Sequence, residues 1–428
     1  MSASSSATSR RAAALDAADP LAGFRAEFHL PAGQIYLDGN SLGPLSRRAE
    51  AHLQRVVEEW RRLGINGWTD AQPPWHRLSE DAAAALAPLI GATADEVAVT
   101  GSTTTNLHQL LATLFDPTAA RPVIVADELN FPSDLYALTS HLRLRGLDPA
   151  DHLRLIRSAN GRTLQTGEIV AAFTSDVQLA VLPAVLFTSG QLLDVGTLTR
   201  AAQDRGIRIG FDCSHSIGAV PHTLDRDGVD FAFWCSYKYL NAGPGAVGGL
   251  YLNRRHLGCT PGLAGWWGGR PDRRFAMAPQ HEPAPDASAL HIGTPHLFSL
   301  APLLGSLEMV AAAGGVGALR AKSLAQTSLL MELAGSELAE FGVAIANPLP
   351  PDERGGHVAL IHPEAWRICA ALRAAAVVPD FRPPDIIRLA PAPLFNTFAE
   401  CAEVVARLRE ILRTRAYERI PAQKTLFT

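Results

Sequence analysis

Between Val97 and Leu252, short apolar, β-branched runs alternate with stretches of helical spacing. That alternation commits the chain to an α/β fold with a mostly parallel central sheet flanked by helices. Residues 97–100, 122–126, 179–186, 207–212, 231–235 and 247–252 read as strands, and 106–115, 133–144 and 196–205 as helices between them. Ligands of such sheets gather at the carboxyl ends of the strands, so the residues just after each run carry the most weight. From Leu300 the pattern changes to longer helices over 301–313, 319–341 and near 400–415, which mark a smaller C-terminal α+β domain. The expected division is a disordered, frayed tail over 1–20, an N-terminal segment with the large domain over 21–305, and the small domain over 306–428. The Pro/Gly-rich stretch 262–295 reads as a structured excursion of the large domain.

The formal net charge of −4 and thinly spread arginines exclude a basic nucleic-acid stripe. No apolar run reaches membrane-spanning length, so no membrane partner is expected. Cys213, Cys235, Cys259, Cys369 and Cys401 show no regular spacing, so neither a metal site nor a disulfide framework is expected. A reducing cytoplasm suits such a chain. Partners are therefore small molecules or another subunit.

Lysine is the most informative residue. Of 38 basic residues only Lys238, Lys322 and Lys424 are lysines. Arginine cannot replace lysine as a nucleophile, because guanidinium stays protonated. Lys322 falls in a helical stretch and Lys424 in the tail, which leaves Lys238 for chemistry.

Four strand-end segments supply complementary groups. Thr100-Gly-Ser-Thr-Thr-Thr105-Asn opens a helix, and the hydroxyls with the free N–H groups, Thr103 and Thr104 among them, make a phosphate cradle. Phe131-Pro-Ser133-Asp134 offers a ring to stack on a flat heterocycle and a carboxylate for its substituents. Asp212, with His215 three residues on, can keep a pyridine nitrogen protonated. Lys238, in Ser236-Tyr237-Lys238-Tyr239, ends a buried strand, where an amine is costly unless it is neutral or covalently used, as in an imine. Singly, these read as an N-cap, a helix start, a strand-end cap and a surface lysine; together they specify pyridoxal 5′-phosphate. Gly243-Pro-Gly245-Ala-Val-Gly248 formally matches a dinucleotide fingerprint, but it contains proline and leads into a strand. Its glycines are expected to let backbone pass close to Lys238.

The order Asp212 then Lys238 on consecutive strands resembles fold-type-I pyridoxal-phosphate enzymes of the aminotransferase class V group. Tyr36-Leu-Asp-Gly-Asn40-Ser-Leu-Gly-Pro44, Phe131-Pro-Ser-Asp134, Tyr237-Lys-Tyr-Leu-Asn-Ala-Gly-Pro-Gly245, Gly265-Trp-Trp-Gly268 and Ile387-Arg-Leu-Ala-Pro-Ala-Pro-Leu-Phe-Asn396 are similar to the kynureninase family, bacterial type. The resemblance implies hydrolysis of the Cβ–Cγ bond of L-kynurenine to anthranilate and L-alanine. It implies that Lys238 holds the cofactor and moves protons, that Asp212 pairs with the pyridinium and that Phe131 stacks on the ring. Ser133, Asp134 and His215 would lie at the ring's polar edge, with Thr103, Thr104 and Tyr237 toward the phosphate; Tyr237 is also a catalytic candidate. Trp266 and Thr294 would reach the phosphate of a neighbouring subunit, implying a homodimer with shared sites. Arg388 would clamp the substrate α-carboxylate through its planar fork, with Asn40 and Trp68 on the substrate side. Pro183, Thr188 and Gly269 depart from the family pattern and bear on substrate preference, while Trp68 favours kynurenine over its 3-hydroxy derivative. The competing expectations are a cysteine desulfurase or selenocysteine lyase, which needs a mobile catalytic cysteine, and a non-catalytic pyridoxal-phosphate-binding module.

Overall fold

The computed structural model describes residues 3–421, with side chains from Thr8 onward; Lys424 lies outside the described residues. The central sheet has seven strands: β2 (Val97–Val99), β3 (Val123–Asp127), β4 (Leu153–Ile156), β5 (Val177–Pro183), β6 (Arg208–Asp212), β7 (Phe231–Trp234) and β8 (Gly249–Leu252), in the order β2-β8-β7-β6-β5-β3-β4. β1 (Ile35–Tyr36) precedes them in the chain. Strands β7, β6, β5, β3 and β4 run parallel, and β8 is antiparallel to both of its neighbours, so β2 points the same way as β7. The carboxyl ends of six of the seven strands therefore share one edge of the sheet.

Alternate residues along β3 feed opposite faces. Val123 and Val125 join one apolar core with the helices Arg47–Leu63, Leu78–Ile90 and Leu297–Ala312, while Ile124 and Ala126 join a second with the helices Thr103–Leu114 and Pro132–Leu144. This period-two division is why both sides of the sheet are covered and why its strands read as continuous apolar runs.

The C-terminal unit builds a third core on an antiparallel sheet ordered β12 (Asp380–Arg382), β13 (Ile386–Leu389), β10 (Val358–Ile361), β9 (Ala344–Ile345). The helices Gly315–Glu337, Ala365–Ala374 and Phe398–Thr414 cover it. β1 pairs in parallel with β11 (Val377–Val378), so this part of the N-terminal segment packs with the small domain. The helix Leu297–Ala312 runs across position 305, the expected division between the units, and packs on Arg47–Leu63.

Residues 3–17 correct the expectation of a frayed tail: they form a helix that docks on Phe398–Thr414. The carboxylate of Asp16 accepts the backbone N–H groups of Phe398 (2.7 Å) and Ala399 (2.9 Å) and so caps that distant helix. Lys322 is buried, paired with Asp19 at 2.7 Å and donating to the Pro393 carbonyl at 2.6 Å. A short half-buried strand, β4, also appears where none is expected.

Candidate active site

At the shared edge the sequence-predicted groups converge on Lys238, which follows β7. Its Nζ lies 2.9 Å from Nε2 of His215 and 5.8 Å from the centre of the Phe131 ring. Asp212 ends β6, paired in register with Phe233 of β7 on one side and Pro183 of β5 on the other. It is buried, and its Oδ1 accepts the Ser214 N–H at 2.8 Å. Burial raises the Asp212 carboxyl above its ordinary range, against the opposing pull of the Lys238 charge.

Asp134 is fully buried in the first turn of its helix, and neither of its carboxylate oxygens has a hydrogen-bond partner. Burial, then the nearby Asp212 charge, pushes it well above the carboxylate range. Two buried acids beside one amine form a site that is short of positive charge and hydrogen-bond donors. A protonated pyridine ring carrying a phenolic oxygen and a phosphate would supply both needs.

The phosphate end is equally ready. Ser102 caps the helix Thr103–Leu114, and Thr103 and Thr104 occupy its first positions, where backbone N–H groups point outward. Gly101 adopts φ +54, and a side chain there would press on Asn106. Of the glycine cluster, Gly248 serves this loop: a Cβ on it would come within 2.8 Å of the Trp234 carbonyl oxygen and 3.1 Å of Ser102, whereas Gly243 and Gly245 have open space around them. Half-buried Tyr237 sits beside Lys238, its phenol held up by burial and by Cys235. Pyridoxal 5′-phosphate therefore fits the residues present.

The small domain brings up Arg388, the expected carboxylate clamp. Arg388, only 1% exposed, stands opposite Asp380 across the β12–β13 hairpin. One edge of its guanidinium, Nε and Nη2, is paired with Asp380; the other carries the Phe187 carbonyl at 2.6 Å and the Ser41 hydroxyl at 3.2 Å. Arg382 also pairs with Asp380, at 3.0 Å. Beside Ser41, the fully buried Asn40 leaves both amide atoms without partners. The expected two-pronged clamp of Arg388 is thus half taken by the protein's own carboxylate, and the Ser41 hydroxyl stands on its other edge. Asp380, Arg382 and Ser41 escape the sequence reading. The Pro383-Pro384-Asp385 turn between two apolar runs is the signal that could have placed Asp380 against Arg388.

Trp68 is half-buried in an aromatic group with Trp75 and Trp267, at ring-centre distances of 5.9 and 5.4 Å. Trp266 and Thr294 are exposed, Trp266 at 48% among Phe275, Met277 and Ile292, which are also exposed. Gly265 packs on the Ile292 backbone and so joins the two segments.

Comparison with known proteins decides the family. Residues 35–355 match the aminotransferase class-V model, and residues 319–408 match that of the kynureninase C-terminal domain. Kynureninase from Geobacillus thermodenitrificans is 52% identical over 410 residues, covering 96% of each chain. That from Bacillus anthracis is 51% identical and covers 94% of each. The chain belongs to the kynureninase family. Solved structures share the fold at lower identity. A cysteine desulfurase from Thermococcus onnurineus superimposes with a TM-score of 0.77 at 17% identity, covering 92% of this chain and 98% of that one. The cystine C–S lyase C-DES, in complex with cysteine persulfide, gives 0.76 at 19%, covering 89% and 98%. Kynureninases and desulfurases thus share a scaffold and differ in what stands around it.

Proposed function

We propose that the chain hydrolyses the Cβ–Cγ bond of L-kynurenine, releasing anthranilate and L-alanine, with pyridoxal 5′-phosphate as cofactor. The observation that carries this reading is the single amine, Lys238, set 2.9 Å from His215 beside two buried carboxylates. It is supported by whole-length identity near one half to curated kynureninases. When bound, the cofactor supplies an electron sink for the charge left at the substrate α- and β-carbons.

The chain's own residues do the rest. Asp212 holds a proton at the pyridine nitrogen, since a buried carboxylate stabilises the cation that faces it. Thr103, Thr104 and Tyr237 fix the phosphate, with Ser133 and Asp134 at the ring's polar edge and Phe131 against its face. Lys238 takes the α-proton and returns a proton later, being the amine nearest the ring. Arg388 orients the substrate carboxylate with Ser41 and Asn40, and Trp68 lines the aryl side. The substrate preference we expect is kynurenine over its 3-hydroxy form. Incubating the purified holoprotein with each and following anthranilate fluorescence and alanine tests this directly. Cofactor uptake without turnover would favour a binding module instead.

A desulfurase role is disfavoured by Cys369, which is fully buried in the helix Ala365–Ala374 with its thiol pushed well above its ordinary range by burial. Such a thiol cannot swing or ionise to attack a substrate sulfur. Sulfide release from cysteine without anthranilate from kynurenine would reverse this. The free cysteines suit a reducing cytoplasm.

We further propose a homodimer in which Trp266 and Thr294 complete the partner's phosphate site. The exposure of Trp266 and Thr294, with Phe275, Met277 and Ile292 exposed around Trp266, supports this. Mixing inactive Lys238→Ala chains with weakened Trp266→Ala chains should then recover activity, toward about a quarter of wild type, because each mixed dimer holds one intact site. No recovery after verified subunit exchange would place Trp266 in its own chain's site.

A further inference from the structure

Behind Lys238 the structure gathers polar atoms that the reading above leaves unused. His215 turns Nε2 to Lys238, so its Nδ1 is directed away from the amine, and this buried atom has no hydrogen-bond partner. The His357 ring stands edge-on to it, centres 6.0 Å apart; His357 is fully buried, and its nitrogens have no close hydrogen-bond partner, a weak interaction with the Thr188 backbone being the one that reaches the ring. The buried hydroxyl of Thr188 is likewise unpartnered, and the Thr188 backbone is in contact with the His357 ring. Thr188 follows Phe187, whose carbonyl Arg388 holds at 2.6 Å, so this polar compartment reaches from the amine to the substrate side.

Unpaired buried polar atoms are rare, and a cluster of them marks a place for internal water, which makes about three hydrogen bonds when enclosed. Thr188, His215 and His357 together offer that many unpaired polar groups along one stretch of the interior. Burial, with the charges of Lys238, Arg388 and Arg382 facing both rings, drives the His215 imidazole well below its ordinary range and that of His357 to about 3. Both rings are therefore neutral at pH 7, each with one N–H to donate and one nitrogen to accept.

We propose that Thr188, His215 and His357 hold buried water beside Lys238, and that this is the water the hydrolysis consumes. The inference rests on the kynurenine reading. In that reaction the water oxygen bonds to the substrate's γ-carbon as the Cβ–Cγ bond breaks. The electron pair of that bond stays on Cβ and takes up one proton, and the second proton leaves with the new aryl carboxyl group. His357 is a positioning residue: it touches the water, not the substrate. Thr188, unused by the functional reading, thereby gains a role.

The test uses the holoenzyme. His357→Phe should lower kcat on the order of 10²-fold, with KM and the visible cofactor absorbance unchanged and an altered solvent deuterium effect on kcat. His357→Gln keeps one donor and one acceptor and should recover most of the rate. High-resolution crystal structures should contain ordered water between Thr188, His215 and His357 in the parent and the Gln variant, and none in the Phe variant. A dry compartment in the parent overturns the proposal. So does an unchanged kcat in the Phe variant, or equal loss of rate and cofactor in both variants, the mark of a packing role. Should the parent fail to split kynurenine, the functional reading falls, while the crystallographic water still judges the compartment on its own.

Discussion

Replacing Lys238 by alanine is expected to cut kynurenine turnover by at least about 10³-fold and to remove the visible absorbance of the bound cofactor. The size of the loss follows from the absence of any substitute. Among the described residues the one other lysine is Lys322, and its amine is committed to Asp19 at 2.7 Å and to the Pro393 carbonyl. Lys238→Arg should be as inactive as the alanine variant, because guanidinium keeps its proton and cannot bond to an aldehyde carbon. That comparison separates chemistry from charge: arginine preserves the cation facing Asp212 and Asp134 but not the nucleophile. Spectra and steady-state rates of the two variants decide the matter. A visible band that survives in Lys238→Ala would place the reactive amine elsewhere.

Arg388→Leu should produce two effects that can be pulled apart. The first is on stability. Asp380 is fully buried between Arg388 and Arg382, and removing the buried partner leaves part of its charge uncompensated, at a cost of about 3 kcal/mol or more. The second is on binding, where losing a charge-assisted contact to the substrate carboxylate is worth roughly 1.5–3 kcal/mol, or about 10- to 100-fold in KM. The double variant Arg388→Leu/Asp380→Leu removes both charges and should recover much of the melting temperature without recovering KM. Thermal denaturation alongside kinetics would show the split. A double variant that binds kynurenine normally would mean that Arg388 supports the fold alone.

The strand ends were legible in the sequence because the sheet is buried on both faces, so its strands appear as unbroken apolar runs and their ends as abrupt changes to polar or glycine residues. Asp212, Lys238 and the Ser102 cap stand at such changes. β4 was not legible: Leu153–Ile156 is a mostly half-buried edge strand with an arginine in it, and its signal is correspondingly weak. The N-terminal helix escaped for a similar reason, since its Ser/Ala/Arg composition has no apolar stripe; Ala12 is its buried apolar anchor. Its order comes from Asp16 and from Arg11, which pairs with Glu332, contacts that no local pattern reveals. Asp380 and His357 share that fate. Each takes its meaning from the small domain folding over the sheet edge, and the apolar runs around them disclose strands but not what those strands face.

Because Asp16 caps a helix whose first residue lies 382 positions later, the segment that carries it finds its binding surface only after all the residues between them have been made. At ordinary elongation rates that is a wait of roughly 20–75 s, during which Asp16 is already made but the helix it caps is not. Nascent chains stalled before Phe398 should therefore hold a folded large domain and an unformed small one, with the Arg388 hairpin waiting on the helix Phe398–Thr414 to be locked in place.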